Sequence, residues 1–375
     1  MELRKFGKTD ELLFPLGFGT MRLPVINGDS SHIDKDLATR MLYYAIDNGV
    51  NYVDTAYSYH GGNSEILVGE ALKNGYRNKI NLATKLPTWL INDKSDLDKY
   101  FFEQLKRLQT DHIDFYLLHS LDKERFEKMK AVDVDKWIVK KIKDGYVRYM
   151  GFSFHDEFPV FKEIVDYYPW NFGQIQLNYL DVNYQAGLRG LRYANEKGLA
   201  VVIMEPLRGG ELANLPERAA EVFKSVKQDR SLIEWGFDFL WDMPEVSVVL
   251  SGMSTMEQVI ENVEIAKKAH IGMLTKEEKE AYAKERALIL KLRPIACTGC
   301  GYCLPCTVGM NIPGVFDIYN KGYMFQDIEK AKKRYASLKI NASACIEDGQ
   351  CEEKCPQHLP IRELMKKVHS ELGNE

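Results

Sequence analysis

The chain has 375 residues, 45% hydrophobic and 28% charged, with 50 basic against 54 acidic side chains and a formal net charge of −4. That is the composition of a globular protein long enough for one large domain plus a small one, or two of medium size, whose core needs no disulfides. It leaves no nucleic-acid footprint, no run reaches the ~18 apolar residues of a membrane span, and the N-terminal MELRKFGKTDELLFPLGFG has neither the apolar stretch nor the cleavage site of a signal peptide, so a cytoplasmic location is expected.

The first 270 residues or so repeat one pattern: a short β-branched apolar run, a polar loop, then a helix-period segment. The runs are FPLGFGT (14–20), VNYVDTA (50–56), KINLATK (79–85), HIDFYLLHS (112–120), YVRYMGFS (146–153), FGQIQLNY (172–179), LAVVIMEP (199–206) and VSVVLSGM (246–253). Helices are expected between them, such as KDLATRMLYYAIDNG (35–49) and SEILVGEALKNG (64–75). Strands this rich in Val, Ile, Leu and Tyr, each followed by a helix, read as βα units of a parallel sheet. Eight units fit a (β/α)₈ barrel of ~250 residues, with a doubly wound open sheet as the structural alternative. GFGTMR (17–22) lacks the third glycine of the dinucleotide fingerprint GxGxxG. A charged helix, LTKEEKEAYAKERALILKLRP (274–294), is stopped by Pro294. The layout expected is therefore a barrel over 1–273, a linking helix over 274–294 and a separate region over 295–375.

In such a barrel the chemistry sits at the C-terminal ends of the strands. Asp54 closes VNYVD, Tyr59 follows in the loop, Lys85 closes KINLATK and His119 closes IDFYLLH. Each alone has an ordinary explanation: a turn cap, a loop anchor, a solvated strand end, a satisfied core histidine. Together they make a proton-delivery site. A lysine ammonium lowers the pKa of a nearby tyrosine, an aspartate keeps that lysine charged and placed, and a histidine orients a carbonyl oxygen. Tyr59 then acts as general acid while hydride reaches the carbon, and the hydride must come from a nicotinamide.

DTAYSYHGGNSEILVGEAL (54–72), ATKLP (83–87) and DFYLLHS (114–120) resemble the aldo-keto reductases over about residues 1–270. The resemblance implies a (β/α)₈ barrel, a nicotinamide bound without a Rossmann fold, and a catalytic tetrad of Asp54, Tyr59, Lys85 and His119. Tyr57 competes with Tyr59, and the family's five-residue step from the aspartate favours Tyr59. Cofactor contacts implied by the same resemblance are Gly19, Thr20 and Met21 in GFGTM, Asp54, Ser153 in GFSFH, and Gln174 in GQIQLNY. Met204 falls where an aromatic usually stacks on the nicotinamide, and Phe154 replaces the usual Asn or Arg. Pro206, Leu207 and Arg208 fall on the pyrophosphate-contacting loop, beside the unusual carboxylate of Glu205. SGMSTMEQVIENV (251–263) resembles the adenosine-binding segment, with Glu261 and Asn262 at the adenine and Gly252, Ser254 and Gln258 in the NADP-holding version. Ser254-x-x-Glu257 also reads as a capping box. NADP(H) is the expected cofactor, with NAD(H) open. The resemblance implies a small aldehyde, ketone or alcohol as substrate, and Ser120 stands where a bulky aromatic often follows the family's histidine.

The first 296 residues contain no cysteine, and all seven follow. In a reducing compartment such clustering points to metal or redox chemistry. Cys297, Cys300, Cys303 and Cys306 are each separated by two residues. Five residues separate Cys345 from Cys351 and three separate Cys351 from Cys355, with Pro356 next. The first block nearly repeats the bacterial ferredoxin run C-x₂-C-x₂-C-x₃-C-P, and the second ends as that run does. The whole resembles the small ferredoxin-type iron–sulfur tail of one branch of aldo-keto reductases. The resemblance implies one [4Fe–4S] cluster on Cys297, Cys300, Cys303 and Cys355, and a second site on Cys306, Cys345 and Cys351. Asp348 stands where the eighth cysteine is expected. The second site is then an aspartate-ligated [4Fe–4S] cluster, a [3Fe–4S] cluster, or no cluster, with His358 a weaker ligand candidate and zinc the alternative for the whole region. The expected function is an NADP(H)-dependent oxidoreductase interconverting a carbonyl compound and an alcohol. The alternatives are an electron-transfer protein coupled to a ferredoxin-like partner and a nucleotide-sensing barrel with little turnover.

Overall fold

A computed structural model describes residues 2–297, 299, 301, 303–355 and 357–373. All eight apolar runs form parallel strands: β1 (Leu16–Gly19), β2 (Tyr52–Asp54), β3 (Asn81–Leu86), β4 (Ile113–Leu121), β5 (Val147–Phe154), β6 (Phe172–Gln176), β7 (Ala200–Met204) and β8 (Val248–Gly252). Each pairs with its neighbours in chain order, and β8 pairs with both β7 and β1, so the sheet closes into a barrel. The open-sheet alternative is thereby excluded. The two named helices form over Lys35–Asp47, capped by the Asp34 carboxylate, and Asn63–Ala71.

The period-two alternation of strand side chains sorts the interior into layers. At the N-terminal end of the strands Tyr52, Ala83, Phe115, Phe172, Ala200 and Val248 form an apolar layer. A hairpin that the sequence reading did not anticipate, Arg4–Lys5 paired with Leu12–Leu13, closes this end. Its Phe6 ring lies 4.6 Å from Phe115 and 5.3 Å from Phe172. Continuing in steps of two toward the C-terminal end, the same inward positions bring Asp54, Lys85, His119, Ser153, Gln174 and Met204. The register Gly19↔Asp54↔Ala83, Lys85↔Leu117 and Ser153↔Gln174 sets these residues side by side.

The chain divides into two compact units, residues 1–210 with 233–274, and residues 211–232 with 275–375. In the second, the charged segment forms a helix over Lys276–Lys291, started by a capping box between Thr275 and Glu278. Its buried face carries Ala281, Tyr282, Glu285 and Ile289, and Tyr282 packs edge-on to Phe223. Farther on, helices Ile312–Met324, Ile328–Ala336 and Ile361–Leu372 enclose a small core that includes Phe316, Tyr319, Val368 and two cysteines, Cys303 and Cys355.

Candidate functional site

Lys85 is fully buried, and its ammonium uses all three N–H donors. It donates to Asp54 Oδ1 at 2.6 Å, to the Thr55 carbonyl at 2.8 Å and to Tyr59 Oη at 3.2 Å. Because the lysine is the donor to Tyr59, the phenol's own proton is not committed to it. Tyr59 sits in the tight turn Tyr59–Gly62, where His60, Gly61 and Gly62 all have positive φ. The His119 ring faces Tyr59 edge-on, with centroids 6.1 Å apart and planes at 80°. A register shift between Leu118 and Leu121 and a left-handed Ser120 (φ 57°) mark an irregularity within β4 beside His119, of the kind by which bulges re-aim a side chain.

The electrostatics follow from burial. Burial opposes the Lys85 charge, but Asp54 and Tyr59 outweigh it and hold the ammonium above its ordinary value. Burial also lifts the Asp54 carboxyl while Lys85 pulls it back. With a 2.6 Å contact and every lysine donor satisfied, the pair is ionic. Burial, then the charges of Lys85, His155 and Arg125, hold His119 well below its ordinary value, so the ring is neutral near pH 7. The sequence reading expected Lys85 to lower the Tyr59 pKa. Its pull is present, but burial is larger and the phenol is raised overall. Tyr59 is therefore a protonated donor at neutral pH.

Behind Lys85, on the outer face of the barrel, lies a buried polar network that the sequence reading missed. Glu65 Oε1 accepts from Thr84 Oγ1 at 2.7 Å and from Gln104 Nε2 at 2.6 Å. Gln104 also donates to the Lys85 carbonyl at 3.0 Å and accepts from Tyr116 Oη at 2.6 Å. Arg107 pairs with Glu65 at 3.3 Å and donates to the Tyr57 carbonyl at 3.1 Å. The Tyr57 ring lies under the Arg107 guanidinium and its hydroxyl donates to Glu103. Tyr57 is thus part of this outer network, whereas Tyr59 meets Lys85. Trp89, also missed, packs 5.1 Å from the His119 ring.

The remaining candidates divide. Thr20 Oγ1 donates to the Asp54 carbonyl at 3.0 Å, and Gly19 lies beside Ser251 across the β1–β8 pair. Met21 is exposed. Ser153 Oγ accepts from the Ser120 N–H at 2.6 Å. Gln174 is buried; among the described residues its Oε1 has no partner and its Nε2 meets only the weak acceptor Met204 Sδ at 3.7 Å. Pro206 is buried, Leu207 and Arg208 are half-buried, and Arg208 pairs with Asp181 at 2.6 Å. Glu205 adopts φ 56° and meets Arg22 at 3.8 Å. Gly252 lies against the Arg22 side chain, Ser254 donates to the Arg22 carbonyl at 2.7 Å, and the Ser254 N–H donates to the Gln258 side chain at 2.8 Å. The expected Ser254 cap is corrected by one residue: Thr255 caps the helix Met256–Ala266 by accepting from the Gln258 N–H. Asn262 is buried and bonded to Ser251, and Glu261 is exposed.

In the second unit the cysteines gather around two small cavities. Cys297, Cys303 and Cys355 line one. Cys306, Cys345, Cys351 and Asp348 line the other, with Cys303 on the shared edge. Cys300 lies outside the described residues. Among the described residues no three His, Cys, Asp or Glu side chains converge as for a single ion. The cysteines surround a volume, which is what a polynuclear cluster requires. His358 lines neither cavity.

Residues 15–279 match the model of the aldo/keto reductase family. The chain belongs to that family. Residues 296–360 match a 4Fe-4S dicluster domain. An uncharacterised oxidoreductase of Bacillus subtilis, YqkF, is 29% identical over 75% of this chain and 95% of its own length. The NADH-specific methylglyoxal reductase of Escherichia coli is 29% identical over 55% of this chain and 67% of its own. The holo form of an aldo-keto reductase from Bacillus halodurans superposes with a TM-score of 0.63 at 28% identity, covering 76% of this chain and 96% of that one. No helix among the described residues is long and apolar enough to cross a membrane.

Aldo-keto reductases typically use NADP(H), and the residues present fit a nicotinamide. The orphaned Gln174 Oε1 can accept from a carboxamide NH₂, while the Ser153 hydroxyl retains a proton to donate to its carbonyl. The cysteines of the tail likewise fit iron–sulfur chemistry, since each cavity is lined by at least three soft sulfur donors, with Asp348 beside them in the second.

Proposed function

We propose that this aldo-keto reductase interconverts a small aldehyde or ketone and its alcohol with NADP(H), Tyr59 acting as general acid. One observation carries the reading: the buried Lys85 donates to the Tyr59 oxygen and is itself held by Asp54. A bound nicotinamide supplies hydride to the carbonyl carbon. The chain's own residues manage the proton and the placement. Burial keeps Tyr59 protonated until a substrate oxygen takes the proton. The Lys85 ammonium then stabilises the tyrosinate left behind. Asp54 keeps Lys85 charged, and the neutral His119 hydrogen-bonds the substrate oxygen without competing as an acid. Ser153 and Gln174 would hold the nicotinamide carboxamide, and Gly252, Ser254, Gln258, Glu261 and Asn262 would contact the adenosine end. The domain layout proposed is a catalytic barrel over 1–273, a helix over 274–294 and a cluster-binding tail over 295–375. The clusters have a structural role, supported by Cys303 and Cys355 belonging to the tail's own apolar core.

The test is turnover of a panel of aldehydes and ketones by anaerobically purified protein, followed by nicotinamide absorbance. Consumption of NADPH that depends on the carbonyl supports the proposal. Tight nucleotide binding with no turnover would replace it with the sensing role. Equal affinity for NADPH and NADH in a fluorescence titration would remove the preference for NADP(H). Reduction of the clusters by NADPH, seen by electron paramagnetic resonance (EPR), would make the tail an electron carrier for a ferredoxin-like partner.

A further inference from the structure

Two Cys₄ clusters need eight thiolates, and the chain has seven cysteines. We infer that the second site of the dicluster tail holds a cluster with one exchangeable iron, carried by the Asp348 carboxylate. This rests on the dicluster assignment of the tail and not on the reductase reading.

Asp348 completes the wall of the cavity lined by Cys306, Cys345 and Cys351. Its carboxylate is held in place: Thr307 Oγ1 donates to Oδ2, Gln350 Nε2 donates to Oδ2 at 3.3 Å and the Gln350 N–H donates to Oδ1 at 3.3 Å. A carboxylate oxygen accepts about two partners, so Oδ2 is filled by its two donors while Oδ1, with one, keeps an acceptor site for a metal. The neighbouring carboxylates are engaged elsewhere. Glu347 pairs with Lys366 at 2.7 Å, and Glu352 pairs with Arg362 at 2.8 Å while accepting the Arg362 N–H. Neither lines the cavity. Asp348 is also an exposed residue, whereas Cys345 and Cys351 are half-buried and Cys303 and Cys355 of the first site are buried. The oxygen-ligated corner is therefore the corner that meets water.

A carboxylate is a harder donor than thiolate and binds iron in a sulfide lattice less firmly. Release of that iron balances without a co-reactant: [4Fe–4S]²⁺ gives [3Fe–4S]⁰ and Fe²⁺. The freed carboxylate keeps its Thr307 and Gln350 donors. Removal of one electron by ferricyanide then gives [3Fe–4S]⁺ and ferrocyanide. Fe²⁺ with a reductant reverses the sequence.

The experiment uses the full chain, reconstituted without oxygen, as wild type, Asp348→Cys and Asp348→Ala. Iron and sulfide are counted and EPR spectra recorded before and after stoichiometric ferricyanide. Wild type is expected to lose about one iron per chain, to gain a [3Fe–4S]⁺ signal, and to recover on addition of Fe²⁺ and dithionite. Asp348→Cys should retain its iron under the same oxidant. Asp348→Ala should show the three-iron form before any oxidant is added. Wild type that keeps all its iron, or Asp348→Cys that loses iron as readily as wild type, would overturn the inference. A wild-type count of about four irons would also overturn it, because the second site would then be empty of cluster. Zinc without sulfide in every variant would overturn it by removing the dicluster assignment itself, leaving the reductase reading untouched.

Discussion

Replacing Lys85 with Met keeps the length of the stem and removes the charge. Asp54, 2% exposed and with Oδ2 already unpartnered among the described residues, then loses its cation. Breaking one side of a buried ion pair costs about 3–5 kcal/mol. A second route gives the same size. Neutralising Asp54 by protonation at pH 7, from an unfolded value of 3.8, costs about 1.4 kcal/mol per pH unit over roughly three units, or ~4 kcal/mol. The sign follows: the variant's folded state binds a proton that its unfolded state has lost above pH 3.8. Its stability therefore falls as pH rises, and the gap to wild type narrows toward acid. Urea unfolding followed by tryptophan fluorescence at several pH values measures this, with cluster absorbance tracking the tail separately, since a chain of two units is not two-state. Lys85→Met with Asp54→Asn removes both charges and should recover most of the loss. A single-variant loss below about 1 kcal/mol that is independent of pH, or a double variant as unstable as the single, would refute the ion-pair account.

Other consequences are open to measurement. Because His119 is held neutral, kcat/KM should show no acid limb near pH 6.5; a limb there that disappears in His119→Asn would place an imidazolium in the site. Glu285 is fully buried with both oxygens unpartnered among the described residues, and burial pushes its carboxyl up to about 8. Wild-type stability should therefore decline as pH rises from 4.5 through about 8, and Glu285→Gln should flatten that decline and be the more stable protein at the alkaline end, as read from Tm against pH. Gln174→Leu removes the group proposed to face the carboxamide, so dinucleotide affinity in a fluorescence titration should fall about tenfold, the worth of one buried hydrogen bond. Unchanged affinity would mean that the orphaned amide serves another purpose.

The barrel was legible because strands buried on both faces must be continuous runs of Val, Ile, Leu and Tyr, and eight such runs recur. The N-terminal hairpin was not, because two-residue strands such as Arg4–Lys5 are too short to show a period. Asp54, Lys85 and His119 could be found because each ends an apolar run. The network behind them could not: Glu65, Gln104 and Arg107 lie on helices whose polar residues read as solvent-facing, and only the docking of Asn63–Ala71 against Lys94–Leu108 buries them together. The Tyr59 pKa went the other way from the sequence expectation because pairwise chemistry is visible in a sequence and depth of burial is not. The cysteine pattern disclosed the tail, but which cysteines share a cavity depends on helices that bring Cys355 back to Cys297 and Cys303.

The central claim is that Tyr59 delivers the proton. Tyr59→Phe keeps the ring against Lys85 and His119 and deletes one oxygen, so dinucleotide affinity should be preserved. Single-turnover oxidation of bound NADPH by a carbonyl substrate should slow by about 10²-fold or more, as for loss of a general acid. A rate within a few-fold of wild type, with binding intact, would contradict the account.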